Sequence, residues 1–426
     1  MSNQSYVRTE MLSEQPAPLG ETGVIKWMRE NLFSSYGNGL LSLLALAFVI
    51  FVGYELLPWM IQPSWNAESL RQCIDDPNID GACWGVIRDR FNQLMFGFYP
   101  QDDQWRPMLA FALMLVAVAP VLFDKLPRQM MWFSILYPFI GVWLLWGGTI
   151  WGPLMVAAGF GVGYIFHTAL KGVTGELTAM IAAVVSTLIW WLYGVGPVAE
   201  MLSSAAPIGI PVIESSKFGG LMLSITIGVS GIALSLPIGI MLALGRQSDM
   251  FIIKVLSVGF IEFIRGVPLI TLLFVASVLL NFFLPPGTNF DLILRVIIMV
   301  TIFAAAYMAE VIRGGLAALP TGQYEAADAL GLDYWQSMRL IIMPQALKIS
   351  IPGIVGTFIG LFKDTTLVSI IGLLDPVGLI GTIQGSSDWN GIVWELNMFI
   401  ALMFWVFTFS MSRYSMYLEN KLKTTH

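Results

Sequence analysis

The sequence predicts an all-α polytopic membrane protein with about ten transmembrane helices. Of its 426 residues, 56% are hydrophobic and only 12% are charged, and the mean hydropathy is +0.74. A soluble domain carries about 25% charged residues. Each membrane-spanning helix needs about 20 apolar residues. A chain of this length and hydropathy therefore holds several spans and is not a soluble globular protein.

Ten apolar runs are long enough to be spans, and they form two groups of five. The first group is Leu40–Met60, Pro107–Phe123, Met130–Thr149, Pro153–Leu170 and Leu177–Tyr193. The second group is Phe218–Leu244, Val267–Leu284, Leu292–Ile312, Ile349–Leu373 and Val393–Tyr414. The third and fourth runs nearly touch at Trp151-Gly-Pro153. They are either two short spans or one span followed by a re-entrant piece.

A stretch rich in glycine and proline, residues 194–217, separates the two groups and is typical of a connection. The chain then divides into a tail (1–37), an N-terminal transmembrane extension (38–200), a second transmembrane domain (217–418) and a short tail (419–426). We expect no cleavable signal peptide, because charged side chains are spread through the first tail. The first span then acts as an uncleaved anchor.

Positive charge predicts the orientation, because Lys and Arg concentrate on the cytoplasmic side of a membrane protein. With the N-terminus in the cytoplasm, most cationic residues lie at the inner side: Arg8, Lys26, Arg29, Lys125, Arg128, Lys171, Arg246, Lys254, Arg313, Arg339, Lys348, Arg413, Lys421 and Lys423. Ten spans return the C-terminus to that side. Loop 61–106 is then periplasmic, and its arginines are offset by aspartates.

Tryptophans near the ends of the apolar runs predict contacts at the membrane interface. Those that fit interfacial anchors are Trp59, Trp65, Trp105, Trp151 and Trp389. A further set is expected to face lipid or the interface rather than to form a ligand cage: Trp143, Trp146, Trp151, Trp190 and Trp191.

Cys73 and Cys83 are the only cysteines, and the predicted orientation places both outside. In an oxidising periplasm they either form a disulfide or remain two free thiols. The only histidines are His167 and His426, and no Cys/His cluster has the spacing of a metal site. We therefore expect no metal. No phosphate-binding loop of the Gly-x-x-x-x-Gly-Lys-Ser/Thr type occurs, so no nucleotide site is expected in this chain.

A polar, helix-forming segment interrupts the apolar sequence between the eighth and ninth runs. It reads Glu325-Ala326-Ala327-Asp-Ala-Leu-Gly331 and is followed by Ile341-Ile-Met-Pro344. Its composition excludes it from lipid. This pattern resembles the cytoplasmic coupling motif of ABC-importer permeases, with Met343 where the motif has Leu. The resemblance implies that Glu325, Ala326, Ala327, Gly331, Ile341 and Pro344 transmit ATPase movement to the spans.

Four further patterns, in order along residues 217–418, resemble the permeases of polar amino-acid ABC importers, the histidine/glutamine-type family. They are Glu262-Phe-Ile-Arg-Gly-Val-Pro268-Leu, Ala306-Tyr-Met-Ala-Glu-Val-Ile-Arg313-Gly-Gly, Pro320-x-Gly-Gln323 and Leu361-Phe-Lys-Asp-Thr-Thr-Leu367. The five added N-terminal spans resemble the M-type subunit of general L-amino-acid importers.

This resemblance implies that residues 217–418 form an ABC type I importer permease domain in a bacterial inner membrane. The partners it implies are an ABC ATPase dimer that binds and hydrolyses ATP, a second homologous permease subunit, a periplasmic amino-acid-binding protein and the lipid bilayer. No nucleic acid is implied. The chain is then a transport subunit and not an enzyme.

The residues of the coupling segment also favour this reading. Leu332, Trp335, Met338 and Ile342 recur at helical spacing and predict one apolar face that packs on the transmembrane bundle. Gly331 permits a turn that a side chain resists, and Pro344 suits the start of the next helix.

Ionisable residues within the runs are candidates for the translocation pathway, because such residues are costly in lipid and usually face a bundle interior. They are Glu310, Lys363 and Asp364, with Thr365 and Thr366 beside them. Each has a structural alternative. Lys363 and Asp364 could fix helix packing, and the Glu262/Arg265 and Glu310/Arg313 pairs could be interfacial ion pairs.

Two other classes of function compete with an ATP-driven permease. A secondary transporter driven by an ion gradient would tend to show related halves, and no internal repeat is evident. A membrane-embedded enzyme is disfavoured, since acidic residues are few in the spans and no nucleophile motif occurs.

Overall fold

The computed structural model describes residues 23–75, 81–279, 282 and 291–422. Arg8 and Lys423 of the orientation argument, and part of the predicted seventh span, lie outside these residues. By its internal contacts the chain divides after Gly85 into two units.

The first unit contains a long apolar helix and a small disulfide-bonded segment. Its helices are α1 (Gly23–Asn31), α2 (Tyr36–Ile61) and α3 (Leu70–Asp75). Ser35 caps α2 by accepting a hydrogen bond from the amide of Asn38 at 3.2 Å. No residue of α2 is buried, as expected for a span whose sides face lipid.

Cys73 and Cys83 form a disulfide with their Cα atoms 6.0 Å apart. Both cysteines are buried, and the bond links α3 to the residues just before α4. Trp65 stacks on Trp84 beside it, with ring centroids 5.9 Å apart.

The N-terminal part of the second unit carries four spans of the predicted extension. Its helices are α4 (Gly85–Phe96), α5 (Trp105–Leu122), α6 (Met131–Trp146), α7 (Trp151–Thr174), α8 (Glu176–Ile189) and α9 (Val195–Ala205). Strand β1 (Gly148–Thr149), between α6 and α7, pairs antiparallel with β2 (Gly209–Ile210). The third and fourth apolar runs are thus two separate spans, not one span and a re-entrant piece.

The rest of the second unit is a bundle built on long helices. Its elements are α10 (Gly220–Gln247), α11 (Phe251–Gly266), α12 (Leu269–Phe274), α13 (Leu292–Ala317), α14 (Thr321–Ala329), α15 (Tyr334–Ser337), α16 (Met343–Asp364), α17 (Pro376–Gln384) and α18 (Trp394–Leu422). Within the described residues, nine helices can cross a membrane, or ten if the bent pair α11–α12 counts as one span. The predicted number of spans is confirmed.

Two predicted boundaries are wrong. Residues 195–205 of the predicted connection are helical, because a π-turn at Trp190–Gly194 carries α8 into α9. Pro197 lies within this continuous helix, just after the π-turn. The predicted seventh span omits α11, which bends by 100° into the helix ending at Leu279. The break falls at Pro268, and Pro disfavours the helical conformation of the residue before it.

Helix α13 lies at the centre of the bundle and packs against α10 and α16. Small residues permit the close approach, as is common between membrane helices. A Cβ added to Gly315 of α13 would lie 2.5 Å from the carbonyl oxygen of Ala346 on α16. The bundle therefore forms a tightly packed support for the segments at its ends.

Several tryptophans form hydrogen bonds within the protein that their sequence positions do not predict. Trp389 is fully buried and donates from Nε1 to Oδ2 of Asp89 at 2.8 Å, so the interfacial assignment of Trp389 is wrong. Trp146 donates to the hydroxyl of Ser215 at 2.7 Å, and Trp151 to the carbonyl of Ala206 at 2.8 Å. These partners are distant in sequence, which is why no local pattern indicates them.

Asp375 is a buried carboxyl at the start of α17. It accepts hydrogen bonds from the amides of Gly378 at 2.9 Å and Val377 at 3.2 Å. Burial raises the pKa of Asp375 to about 6, and the two amide donors only partly oppose this shift.

Candidate functional site

The polar segment between α13 and α16 contains helix α14, which ends in a well-formed Schellman motif. The amide of Gly331 donates to the carbonyl of Asp328 at 2.9 Å, and the amide of Leu332 to that of Ala327 at 3.3 Å. This arrangement requires a left-handed residue after the helix cap. Gly331 supplies it with φ +69°.

The chain restarts as helix immediately after that turn. Asp333 caps α15 in a capping box with Gln336: its carboxylate accepts from the Gln336 amide at 2.8 Å, and the Gln336 side chain accepts from the Asp333 amide at 3.2 Å. A π-turn at Met338–Ile342 then leads into α16, whose first turn holds Pro344. Two local capping devices thus fix the angle between α14 and α15.

One side of this segment belongs to the core of the bundle. Ala327, Met338 and Ile342 are buried. Met338 and Ile342 pack with Ala309 and Ile312 of α13. The segment is therefore packed firmly against the transmembrane helices.

The opposite side is exposed and unusually apolar for a polar segment. Large apolar side chains there are Leu330, Tyr334, Trp335 and Leu340, between 50% and 72% exposed. Glu325 and Ala326 are also exposed. Exposed apolar patches of this kind are typical of contact surfaces with a protein or a membrane.

The sequence-predicted coupling residues do not all lie on one side. Ala327 is buried, Ile341 is half-buried, and Glu325, Ala326, Gly331 and Pro344 are exposed. The predicted apolar face is wrong at Trp335, which is 70% exposed. The π-turn between Trp335 and Ile342 inserts a residue into the helical register, so the simple spacing does not hold.

Five charged side chains meet close to this segment, at the ends of α10, α11 and α13. Glu310 accepts from Arg313 Nε at 2.6 Å and from Arg246 Nη1 at 3.2 Å, and it lies 3.4 Å from Arg265 Nη1. Arg246 Nη1 also donates to Glu262 at 2.9 Å. The two i,i+3 pairs of the sequence are thus one network that joins three helices, centred on Glu310.

Arg246 was not identified as a member of this network from the sequence. Its partners are 16 and 64 residues away, so no spacing rule could indicate it. Arg265 extends the network, because its guanidinium lies 5.6 Å from the ring centroid of Tyr307. Tyr307 in turn lines a cavity between α13 and α16.

A cavity of about 270 Å³ lies between α13 and α16. Its lining residues are Phe303, Ala304, Tyr307, Thr357, Gly360, Leu361 and Asp364. Asp364 and Tyr307 make the cavity partly polar, whereas the Thr357 hydroxyl donates to the carbonyl of Gly353 at 2.9 Å. A site of this composition suits a small polar molecule.

The structure does not place the whole Lys363–Thr366 cluster around this cavity. Asp364 lines it, whereas Lys363 is exposed and is not among the lining residues. Thr365 is fully buried and donates to the carbonyl of Phe362 at 2.8 Å, and Thr366 donates to the carbonyl of Lys363 at 2.8 Å. Both hydroxyls are thus engaged by their own helix.

Comparison with known proteins identifies the class. The sequence profile of the "Binding-protein-dependent transport system inner membrane component" family matches residues 235–424. The "glutamate/glutamine/aspartate/asparagine transport system permease protein BztC" of Rhodobacter capsulatus is 58% identical over 434 aligned positions, covering 100% of both chains. The "inner membrane amino-acid ABC transporter permease protein YhdY" of Escherichia coli is 39% identical and covers 97% of this chain and 98% of its own length.

Among solved structures, the crystal structure of "an amino acid ABC transporter with histidines" matches 48% of this chain and 92% of its own chain. The identity is 30% and the TM-score is 0.43.

The chain belongs to the family of binding-protein-dependent transport system inner membrane components, the permease subunits of ABC transporters. The resemblance read from the coupling motif is therefore confirmed. Nothing in the comparisons supports a secondary transporter driven by an ion gradient.

Proposed function

We propose that this chain is the permease subunit of an ABC importer that carries acidic amino acids and their amides. The relative at 58% identity is described as a transport permease for glutamate, glutamine, aspartate and asparagine. Full-length coverage at that identity supports a shared substrate class. The amino acids would reach this subunit from a periplasmic binding protein.

In this proposal the ATPase docks on the exposed side of the segment from α14 to α15. The observation that carries it is the two-sided character of the segment. Its buried side packs into the core of α13, and its exposed side presents Leu330, Trp335 and Leu340. Closure of an ATPase dimer would then pull on a rigid element and tilt the attached spans.

Replacing Gly331 tests this docking. An added Cβ meets no atom within 4 Å, so the φ of +69° is the only obstacle to a small side chain. A left-handed conformation costs about 1–2 kcal/mol for most residues, and Asn tolerates it. Gly331→Trp adds a large side chain on the exposed side and should abolish uptake without loss of membrane insertion.

Gly331→Asn is the matched control, because it keeps the turn with a small side chain. We expect it to retain most uptake of labelled glutamate in a strain that depends on this chain. Full uptake by a well-inserted Gly331→Trp variant would exclude docking at this turn.

The cavity beside Asp364 is the proposed resting place of the substrate within this subunit. An amino acid brings an ammonium group that suits a carboxylate, and Asp364 is the carboxylate among the lining residues. Glu310 lies at the centre of the charged network, not at the cavity. We propose that it acts at the cytoplasmic exit and holds Arg246, Arg265 and Arg313 beside the path of an anionic substrate.

A second homologous permease is the proposed partner across the translocation path. Lys363 is exposed at the end of α16, and charged side chains in a membrane usually face a protein interior or a water-filled cavity. A partner subunit beside α16 would supply that environment. The termini and the coupling segment lie in the cytoplasm in this arrangement, and loop 61–106 lies in the periplasm.

A further inference from the structure

A second and larger crevice, of about 520 Å³, separates the extension from the permease bundle. Three helices form its walls: α5, α6 and α10. Its lining follows helical spacing on each of them, for example at Pro107, Phe111 and Met114 of α5. The volume is more than three times that of an apolar cavity of about 150 Å³ that takes up benzene.

The crevice offers almost nothing to a polar ligand. Ser134 donates to the carbonyl of Ala117 at 2.5 Å, and Thr226 to that of Met222 at 2.7 Å. Tyr137 donates to the carbonyl of Ala110 at 3.0 Å. Three of the four lining hydroxyls are thus engaged by backbone carbonyls, and the Ser230 hydroxyl is the fourth. Water or a polar solute would gain little in a crevice with so few polar groups, whereas a hydrocarbon chain would fit.

The crevice is longer than one leaflet is deep, so it can hold an extended lipid chain. It follows α10 from Leu221 to Leu234, which is about 20 Å at the rise of a helix. One leaflet of a bilayer has a hydrocarbon layer about 15 Å thick. Exposed rim residues, among them Met108, Val142 and Leu234, leave the crevice open sideways to the membrane.

Two cations lie just beyond one end of the crevice, on the turn between α5 and α6. Lys125 and Arg128 are exposed, and among the described residues no carboxylate lies within ion-pair distance of either. Asp124, next to Lys125, interacts with it electrostatically but forms its ion pair with Lys421. Val118 and Ser134 line that end of the crevice. Val118 lies four residues before the end of α5, and Ser134 lies six residues after Arg128. These separations are roughly 6–9 Å along a helix. The headgroup layer of a bilayer is of similar thickness, about 5–8 Å.

The turn itself is fixed to the last helix. Lys421 of α18 donates to Asp124 at 2.6 Å, and Tyr414 donates to the carbonyl of Leu122. The two cations are therefore held at a defined position relative to the crevice.

We propose that the crevice binds one anionic phospholipid, with an acyl chain between α5, α6 and α10 and the phosphate against Lys125 and Arg128. The lipid completes the contact between the extension and the bundle. This site is separate from the coupling segment and from the cavity beside Asp364.

Phospholipid retention tests the site. The full chain is purified in detergent with extended washing, and retained lipid is measured by native mass spectrometry. We expect a single anionic phospholipid on the wild type. Ala233→Trp fills the crevice from α10 and should remove that lipid. Ala45→Trp makes the same change on an exposed alanine of α2 and should leave it bound.

The headgroup contact has its own variant, the double change Lys125→Gln and Arg128→Gln. Each cation at a membrane surface gives roughly a fivefold attraction to anionic lipid, so the pair gives about 25-fold. The double variant should lose a preference of that size for phosphatidylglycerol over phosphatidylcholine in lipid exchange. Equal retention by Ala233→Trp and Ala45→Trp, no retained lipid on the wild type, or an unchanged preference in the double variant would each overturn the proposal.

Discussion

Single residues set the local geometry on which the proposed coupling depends, and Gly331 is the clearest example. Its φ of +69° and the two hydrogen bonds of the Schellman motif follow from a few consecutive residues. For that reason the turn could be predicted from the sequence. Trp389 is the opposite case, since its partner Asp89 is 300 residues away and hydropathy alone suggests an interfacial position.

At Gly331, backbone strain can be separated from bulk. Gly331→Ala adds only a methyl group into open space, so its cost is that of the left-handed conformation, about 1–2 kcal/mol. We expect Ala to reduce uptake more than Asn does, although the two side chains differ little in reach. Uptake rates of the Ala and Asn variants, normalised to membrane content, measure the effect. Equal rates would show that the turn geometry is unimportant.

The stability of the folded chain should depend on pH through Asp375. Its folded pKa of about 6 is raised from 3.8, so the folded chain binds the proton more tightly than the unfolded chain. Stability from this group is therefore greatest in acid and falls as pH rises from about 4 to about 6. The full shift corresponds to about 2–3 kcal/mol.

Asp375→Asn keeps the helix cap and removes this dependence. The difference in unfolding temperature between variant and wild type, measured in detergent, should increase from pH 4 to pH 6 in favour of Asn. Asp328→Asn, at an exposed position of α14, is the control. A constant difference across that range would contradict the assignment.

Whole elements were predicted best where a long apolar run coincides with a span, as for α2 and α13. Helix α11 was missed because Lys254, Glu262 and Arg265 interrupt its apolar pattern. Its charges belong to a network that forms only when α10, α11 and α13 come together. A sequence indicates such pairs within one helix but not their assembly across three.

Glu310 should be the most important member of that network. Its side chain is 21% exposed and faces three arginines, whereas Glu262 is 52% exposed. Glu310→Gln removes the negative charge that faces three partly buried arginines, and it should cost about 1–3 kcal/mol of stability. Glu262→Gln should cost less than about 1 kcal/mol. Unfolding temperatures in detergent compare them, and equal losses would show that Glu310 is not the centre.

Asp364 of the cavity between α13 and α16 is expected to contribute to substrate affinity. Asp364→Asn removes the carboxylate that lines it and should raise the KM for uptake while assembly with partner subunits is unchanged. Lys363→Met, on the exposed side of the same helix end, should affect assembly more than KM. If both variants keep wild-type kinetics and assembly, neither residue lines the path.

At the scale of the whole molecule, the proposed orientation places loop 61–106 outside. A single cysteine introduced at exposed Glu68, in a chain with Cys73 and Cys83 replaced by Ser, should react with a membrane-impermeant maleimide on intact spheroplasts. A cysteine at Asp328 of α14 should react only after the membrane is opened. The reverse pattern would invert the topology and move the coupling segment away from the ATPase.

The central claim is that this chain imports amino acids with energy supplied through its coupling segment by a partner ATPase. The most direct measurement is glutamate uptake into proteoliposomes that contain the complete complex and its binding protein, with ATP on the ATPase side. We expect uptake that requires ATP, is reduced by excess glutamine, aspartate or asparagine, and continues when ion gradients are collapsed. Uptake without ATP that follows a sodium or proton gradient would contradict the claim.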